Sequence, residues 1–303
     1  MTPAVPPAAY RPLYPFTSHY TDVNGLPMHY VDEGRGEPIV MLHGNPTWSF
    51  YFRELIGGLA PAYRCIAPDH IGCGLSDRPT DAEYGFRLQD RVDDLEALLS
   101  GLGLDRPISL VLHDWGGMIG AAFAVRHPER VARLVVLNTA AFLKPHWKTL
   151  PWALRFVRGV PLVAEPAVLR LNLFARGAAW TASARGLAPA VRRGLLAPYG
   201  SPRNRLATLR FVQDIPLSPA DPSYALAALT DQGLARLQAK PVLACWGERD
   251  FVFDLDYLAE WQRRFPRAET HRFPQAGHYV LEDEPGPILA RVRDFLSRTP
   301  AAD

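Results

Sequence analysis

Short β-like runs, most of them apolar, alternate along this chain with stretches of helical spacing. Met28–Val31, Ile39–Leu42, Arg64–Ala67, Ile108–Leu112, Arg133–Asn138, Pro241–Trp246 and Glu269–Phe273 have the length of strands. Phe50–Leu59, Leu88–Leu102, Met118–Arg126, Leu255–Phe265 and Pro287–Leu296 repeat apolar positions at helical intervals. This alternation predicts an α/β fold whose mostly parallel central sheet is covered by helices on both faces. The rhythm breaks between 141 and 229. That stretch lacks strand alternation and is dense in Trp, Phe, Leu, Ala and Pro. It reads as a helical cap inserted after the Arg133–Asn138 strand, over the carboxyl ends of the sheet. The expected division is a core of 1–140 and 230–303 with a cap of 141–229.

Residues 110–117 read Leu110-Val111-Leu112-His113-Asp114-Trp115-Gly116-Gly117. A strand enters a tight Gly-rich turn with one reactive side chain at its tip, the pattern of a nucleophile elbow. The tip is Asp rather than Ser. A Ser that displaced a group from saturated carbon would be left as an ether, which water clears with difficulty. An Asp leaves an ester, which can be resolved. Asp114 therefore points to displacement at an alkyl carbon. A simpler role for an aspartate there is to cap the following helix.

Three further segments fit the elbow. His43-Gly44-Asn45-Pro46-Thr47 follows an apolar strand, and its turn can bring the Asn45 N–H beside Asp114. With the Trp115 N–H this would form an oxyanion hole. Trp246-Gly247-Glu248-Arg249-Asp250 closes another strand, and Ala276-Gly277-His278-Tyr279 follows twenty-eight residues after Asp250. The order nucleophile, acid, histidine assigns Asp250 to orient His278, and His278 to act on a water or proton near Asp114. Asp254 and Asp256 are nearby alternatives for the acid but fall within the expected next helix. The other place for an acid, after the preceding strand, holds Asn138-Thr139-Ala140. The Gly-rich loop Asp69 to Asp77 lacks the lysine and spacing of a phosphate cradle and reads as a structural turn.

Composition narrows the class. The net charge of +2 gives no global field for nucleic acid. The three cysteines, Cys65, Cys73 and Cys245, are odd in number and widely spaced, which suits free thiols in a reducing compartment. No Cys/His spacing suggests zinc, no metal is expected, and no apolar run reaches the length of a membrane span. The start, Met1 to Pro15, is Pro-rich without the pattern of a signal peptide, so a cytoplasmic protein is expected. Residues 151–210 hold ten arginines against one acid, Glu165. This basic cap is either a solvated face or a dock for an acidic partner or an anionic surface.

With these residues in hand, nearly the whole chain resembles the haloalkane dehalogenase branch of the α/β-hydrolases. The motifs that carry the likeness are His43 to Thr47, Asp69 to Asp77, His113 to Gly117 and Gly277-His278-Tyr279. In that branch the Trp after the nucleophile and the Asn after His-Gly donate N–H bonds to the leaving halide, and Trp115 and Asn45 stand at those places. The chain is more closely similar to the β-lactone decarboxylases of bacterial long-chain olefin biosynthesis. Asn204-Arg205, Arg210 to Pro216 and Ala276 to Asp283 look like that group's cap and terminal His segment. The resemblance implies conversion of a cis-2,3-dialkyl β-lactone to a cis-alkene and CO₂, with no cofactor. It also implies neighbouring pathway enzymes, one of which the basic cap would dock. Haloalkane hydrolysis is the alternative, because a carboxylate and a halide both only accept hydrogen bonds. Epoxide hydrolysis is third; Tyr199 and Tyr224 are the cap tyrosines it would need. A catalytically silent ligand receptor on this fold is a fourth reading. For the small hydrophobic substrate, Phe142, Trp147, Trp152, Phe174, Phe211, Phe251 and Val280 are expected to line the pocket.

Overall fold

The computed structural model describes residues 7–104 and 106–300. The first six residues of the Pro-rich start, and the outermost ends of both expected core segments, lie outside the described residues.

The centre is one eight-stranded sheet. Its strands are β1 (His19–Val23), β2 (Leu26–Glu33), β3 (Pro38–Leu42), β4 (Arg64–Pro68), β5 (Ile108–Asp114), β6 (Val131–Thr139), β7 (Val242–Gly247) and β8 (Glu269–Phe273). The spatial order is β1-β2-β4-β3-β5-β6-β7-β8. β1, β2 and β4 pair antiparallel, and the pairs from β4 through β8 are parallel. β1 is missing from the strands expected above. Its polar sequence His-Tyr-Thr-Asp-Val sits at an edge, where few side chains need burial. The Asn24-Gly25 pair that turns β1 into β2 is the local signal, since both residues take positive φ as a two-residue hairpin demands.

Central strands are mostly apolar because both sheet faces are covered. All residues of β3, β5 and β7 are buried. Their side chains alternate between two cores with the period of two that a strand imposes. Leu110 and Leu112 enter one core and Val111 the other, and β3 divides Val40 and Leu42 from Ile39 and Met41 in the same way. The first core is closed by α2 (Leu88–Gly101), α3 (Trp115–Arg126), α9 (Tyr224–Gly233) and α10 (Leu255–Arg264); the second is closed by α1 (Arg53–Leu59), α11 (Val280–Asp283) and α12 (Pro285–Arg298). Asp254 is the N-cap of α10, its side chain accepting from the Asp256 N–H, and Lys148 pairs with both acids. Neither faces His278.

Between β6 and β7 the chain forms α4 (Trp152–Gly159), α5 (Pro161–Leu169), α6 (Leu173–Thr181), α7 (Pro189–Leu196) and α8 (Leu206–Gln213), then α9. No strand occurs there among the described residues. A division at 229/230 falls inside α9, whose Ala227 is buried in the first core beside α3.

Strand order reverses at β3. From β3 the chain moves to β4 on one side and then across to β5 on the other, which opens a crevice at the carboxyl ends of β3 and β5. Asn45 follows β3 and Asp114 ends β5, so the topology delivers both to one place.

Candidate active site

Asp114 stands where β5 turns directly into α3. Its φ of 51° and ψ of −125° lie where a residue with a Cβ is strained, at a cost on the order of 1–3 kcal/mol. The turn is compressed against β3: a Cβ on Gly116 would stand 2.0 Å from the Leu42 carbonyl oxygen. Thr139 Oγ1 donates to the Asp114 carbonyl and ties the turn to β6. The Asp114 side chain does not reach forward over the first turn of α3 to cap it. It is free to point into the crevice.

There, Asp114 Oδ1 accepts the Asn45 backbone N–H at 2.7 Å, and the carboxylate also accepts the Trp115 backbone N–H. Gly44 is needed for this approach, because a Cβ at that position would lie 2.0 Å from Asp114 Oδ1. The other oxygen, Oδ2, stands 3.7 Å from His278 Nε2. His278 Nδ1 bonds Asp250 Oδ2 at 2.8 Å. Asp250 is held in turn by the Val252 N–H on Oδ1 and by Asn138 Nδ2, 3.0 Å from Oδ2. The structure thus brings Asp114, His278 and Asp250 into one line.

Burial pushes the Asp114 carboxyl above its ordinary range, although His278 and the two N–H bonds oppose the rise. Burial works against the His278 cation, but the Asp250 carboxylate bonded to it, helped by Asp114, outweighs that and raises its pKa. The His278 shift favours an imidazolium beside its two acidic neighbours, while the Asp114 shift shows that burial leaves this carboxylate less stabilised than an exposed one.

Asn45 and Trp115 meet at the floor of the same crevice. Asn45 Nδ2 donates to the Thr208 carbonyl of α8 at 2.9 Å, which fixes which end of the amide is nitrogen. One N–H therefore anchors the cap, and the second is left for the crevice. The Trp115 indole N–H donates to no side chain or carbonyl among the described residues. Its ring leans on Phe211, 5.3 Å away.

Above this floor lies a cavity of about 660 Å³. Phe142, Trp152, Phe174 and Phe251 form parts of its wall, with Phe156, Leu173 and Val212. Three expected lining residues stand elsewhere. Phe211 is fully buried behind Trp115, sandwiched by Arg91, whose guanidinium lies 3.7 Å from its ring centre. Trp147 is exposed and bonds Asp256 on the outside. Val280 starts α11 and is buried in the second core with Tyr279 and Ile288. Side-chain type alone could not separate a wall residue from one a layer behind it.

Two contributors were missed. Asn138, at φ 36°, bonds Asp250, accepts the Gly247 N–H at 2.8 Å and donates to the Gly247 carbonyl at 3.0 Å. It stands where the sequence lacked an acid, and a polar residue directly after the apolar run Leu134–Leu137 was its signal. His113 donates from Nε2 to the His278 carbonyl at 2.9 Å and fixes that loop from below. The Asp69 loop is built as the expected structural turn, with Asp69 fully buried under Ser49 and Leu75 N–H bonds.

Residues 37–285 match the family model described as the alpha/beta hydrolase fold. The chain belongs to the α/β-hydrolase family. Within it, this α/β-hydrolase is 46% identical over 288 residues to a cis-3-alkyl-4-alkyloxetan-2-one decarboxylase of Shewanella oneidensis, covering 95% of this chain and 90% of that one. It is 47% identical over 297 residues to the protein of that name from Xanthomonas campestris pv. campestris, covering 95% and 99%. Among solved structures it is similar to haloalkane dehalogenase DbeA of Bradyrhizobium elkani, with a TM-score of 0.84, 27% identity and coverage of 94% and 98%. Both branches anticipated from the motifs are therefore relatives of this α/β-hydrolase, and the decarboxylases match it at higher identity.

Proposed function

We propose that this enzyme opens a cis-3,4-dialkyl β-lactone with Asp114 and releases a cis-alkene and CO₂. The observation that carries the reading is a buried carboxylate, aimed into an apolar cavity of about 660 Å³, with one oxygen left without a close donor. The decarboxylase relatives at 46 and 47% identity supply the substrate class.

Asp114 Oδ2 attacks the ring carbon that carries oxygen. The carbon–oxygen bond breaks, and its electron pair leaves on a carboxylate attached to the neighbouring carbon. Asn45 Nδ2 and Trp115 Nε1 hold that carboxylate, as neutral donors suited to an anion in an apolar site. The carbon–carboxylate bond then breaks. Its electrons form the alkene and expel Asp114 from the next carbon. Attack inverts one centre, and departure of the two groups from opposite faces restores the original relation of the alkyl chains. A cis lactone gives a cis alkene. The His278 cation, oriented by Asp250, stabilises the Asp114 carboxylate as it leaves. No water enters the cycle.

A dehalogenase differs at this last step, because His278 would direct water onto the Asp114 ester. Turnover in ¹⁸O-water separates the two. With a β-lactone, repeated turnover should leave the Asp114 peptide unlabelled while alkene accumulates; a bromoalkane, if turned over, should label it. Label with the lactone, together with a hydroxy acid and no alkene, would make the protein a hydrolase. We place the enzyme in the cytoplasm, where its three buried free thiols stay reduced.

A further inference from the structure

Among the described residues, exposed large apolar side chains are concentrated in one stretch of the chain. Thirteen large apolar side chains are exposed among the described residues, and nine of them fall between Trp147 and Trp180. Scattered exposed leucines need no explanation, but a contiguous concentration marks a surface that meets something apolar. Leu162 is 91% exposed and Trp152 81%. The helices involved are α4, α5 and α6, which pack consecutively against one another.

The patch runs into the active site. Trp152, Phe156 and Leu173 are exposed and also form cavity wall, so they rim its mouth. Leu162, Val163 and Trp180 lie outside that wall.

Charge identifies the occupant. Several cap arginines are committed internally: Arg158 to Asp221, Arg210 to Asp81 and Glu165, and Arg205 to cap carbonyls. Glu165, the one acid of 151–210, is therefore already neutralised. Arg155, Arg170 and Arg176 are exposed on α4–α6 and its linker and form no ion pair among the described residues. Arg192 lies 3.6 Å over the exposed Trp180 ring, a cation set against an aromatic at the edge of the patch. Tryptophan and leucine beside uncompensated arginine make a face that fits the boundary between anionic headgroups and acyl chains.

We propose that α4–α6 seat this protein on an anionic lipid surface, with the cavity mouth turned to the bilayer. Apolar substrate and product would then pass between membrane and cavity without crossing water. The docking partner expected for the basic cap is thereby a lipid headgroup layer. The proposal does not depend on which reaction the site performs, since binding and turnover are read separately.

The test is flotation of the full-length protein with vesicles of equal phosphatidylglycerol and phosphatidylcholine, against vesicles of phosphatidylcholine alone. Wild type should float at least tenfold more with the anionic vesicles, and less as salt rises. The variants L162E/V163E and R155E/R170E/R176E should each lose at least tenfold of that binding. Both should keep the melting temperature and the turnover of a short-chain lactone in buffer, because none of these residues lines the cavity. Wild type that stays with the buffer, binds both vesicles equally, or floats no better than L162E/V163E would overturn the proposal. So would a wild-type dimer that L162E/V163E splits while vesicles are ignored, which would assign the face to a second copy of the chain.

Discussion

Asp69 and Asp114 are two buried aspartates at the carboxyl ends of strands in one sheet, and they have opposite chemistry. Asp69 shares a 2.8 Å hydrogen bond with His29 Nδ1 and accepts the Ser49 and Leu75 N–H groups at 2.7 and 2.8 Å. Burial would raise its pKa, but His29 and these bonds prevail and hold it down at about 2. Asp114 accepts backbone N–H groups too, yet its second oxygen has only His278 at 3.7 Å and an apolar cavity beyond. For Asp114 burial prevails and the pKa is raised. A carboxylate saturated with donors is part of the framework. One with an oxygen left over fits the nucleophile we propose.

The sharpest way to break this contrast is to remove each carboxylate. Asp114→Ala should lower kcat on the order of 10⁴-fold or more with the fold intact, as loss of a nucleophile does. A well-folded variant that retains more than a few per cent of wild-type kcat would end the nucleophile role. Asp69→Ala should do the reverse. It strands the His29 ring and two buried N–H groups, so denaturant unfolding should show a loss of about 3–5 kcal/mol. The kcat per folded molecule should stay within about threefold of wild type. Equal losses of activity from both variants would mean that Asp69 also belongs to the reacting centre.

Next in size are the groups we propose to hold the leaving carboxylate. Trp115→Phe and Asn45→Ala should each cost about 2–4 kcal/mol of transition-state stabilisation, read from kcat/KM. Asn45 also anchors α8 through the Thr208 carbonyl, so its variant should raise KM as well. If both variants keep kcat/KM within about threefold, the anion is held elsewhere.

Much of this contrast was readable before any coordinates. Elbow, oxyanion turn and terminal histidine are local patterns, and the parallel order of strands forces their ends together. That is why Asp114, Asn45 and His278 could be named. The supports could not. Asn138 reaches Asp250 across 112 residues, and the Asn45 amide reaches Thr208 across 163. Nothing local encodes such a partner. Cap aromatics were ambiguous for a related reason. Phe174 on α6 faces the cavity and Phe211 on α8 backs Trp115, and only the packing of those helices decides which does which. The β1 strand escaped because an edge needs little burial, so its apolar signal is weak.

The smallest expected effect tests the Asp69 side of the comparison by pH. Its carboxyl falls from the ordinary 3.8 to about 2 on folding. The ionised form is thus favoured by the native state, and the unfolded chain binds the proton more readily. A depressed carboxyl contributes stability that is present above pH 3.8 and is lost as pH falls through about 2. At 1.4 kcal/mol per unit the shift is worth about 2 kcal/mol. Unfolding free energy should therefore decline between pH 4 and 2 more steeply in wild type than in Asp69→Asn, whose amide cannot titrate there. The two curves should converge by about 2 kcal/mol across that window when measured by urea denaturation. Asp114→Asn supplies the opposite sign. A raised carboxyl stabilises only while protonated, so removing its charge should help the fold above that pKa and make little difference below it. If the Asp69→Asn curve instead runs parallel to wild type through the acid range, Asp69 is not the saturated carboxylate its three partners imply, and the distinction between the two aspartates fails.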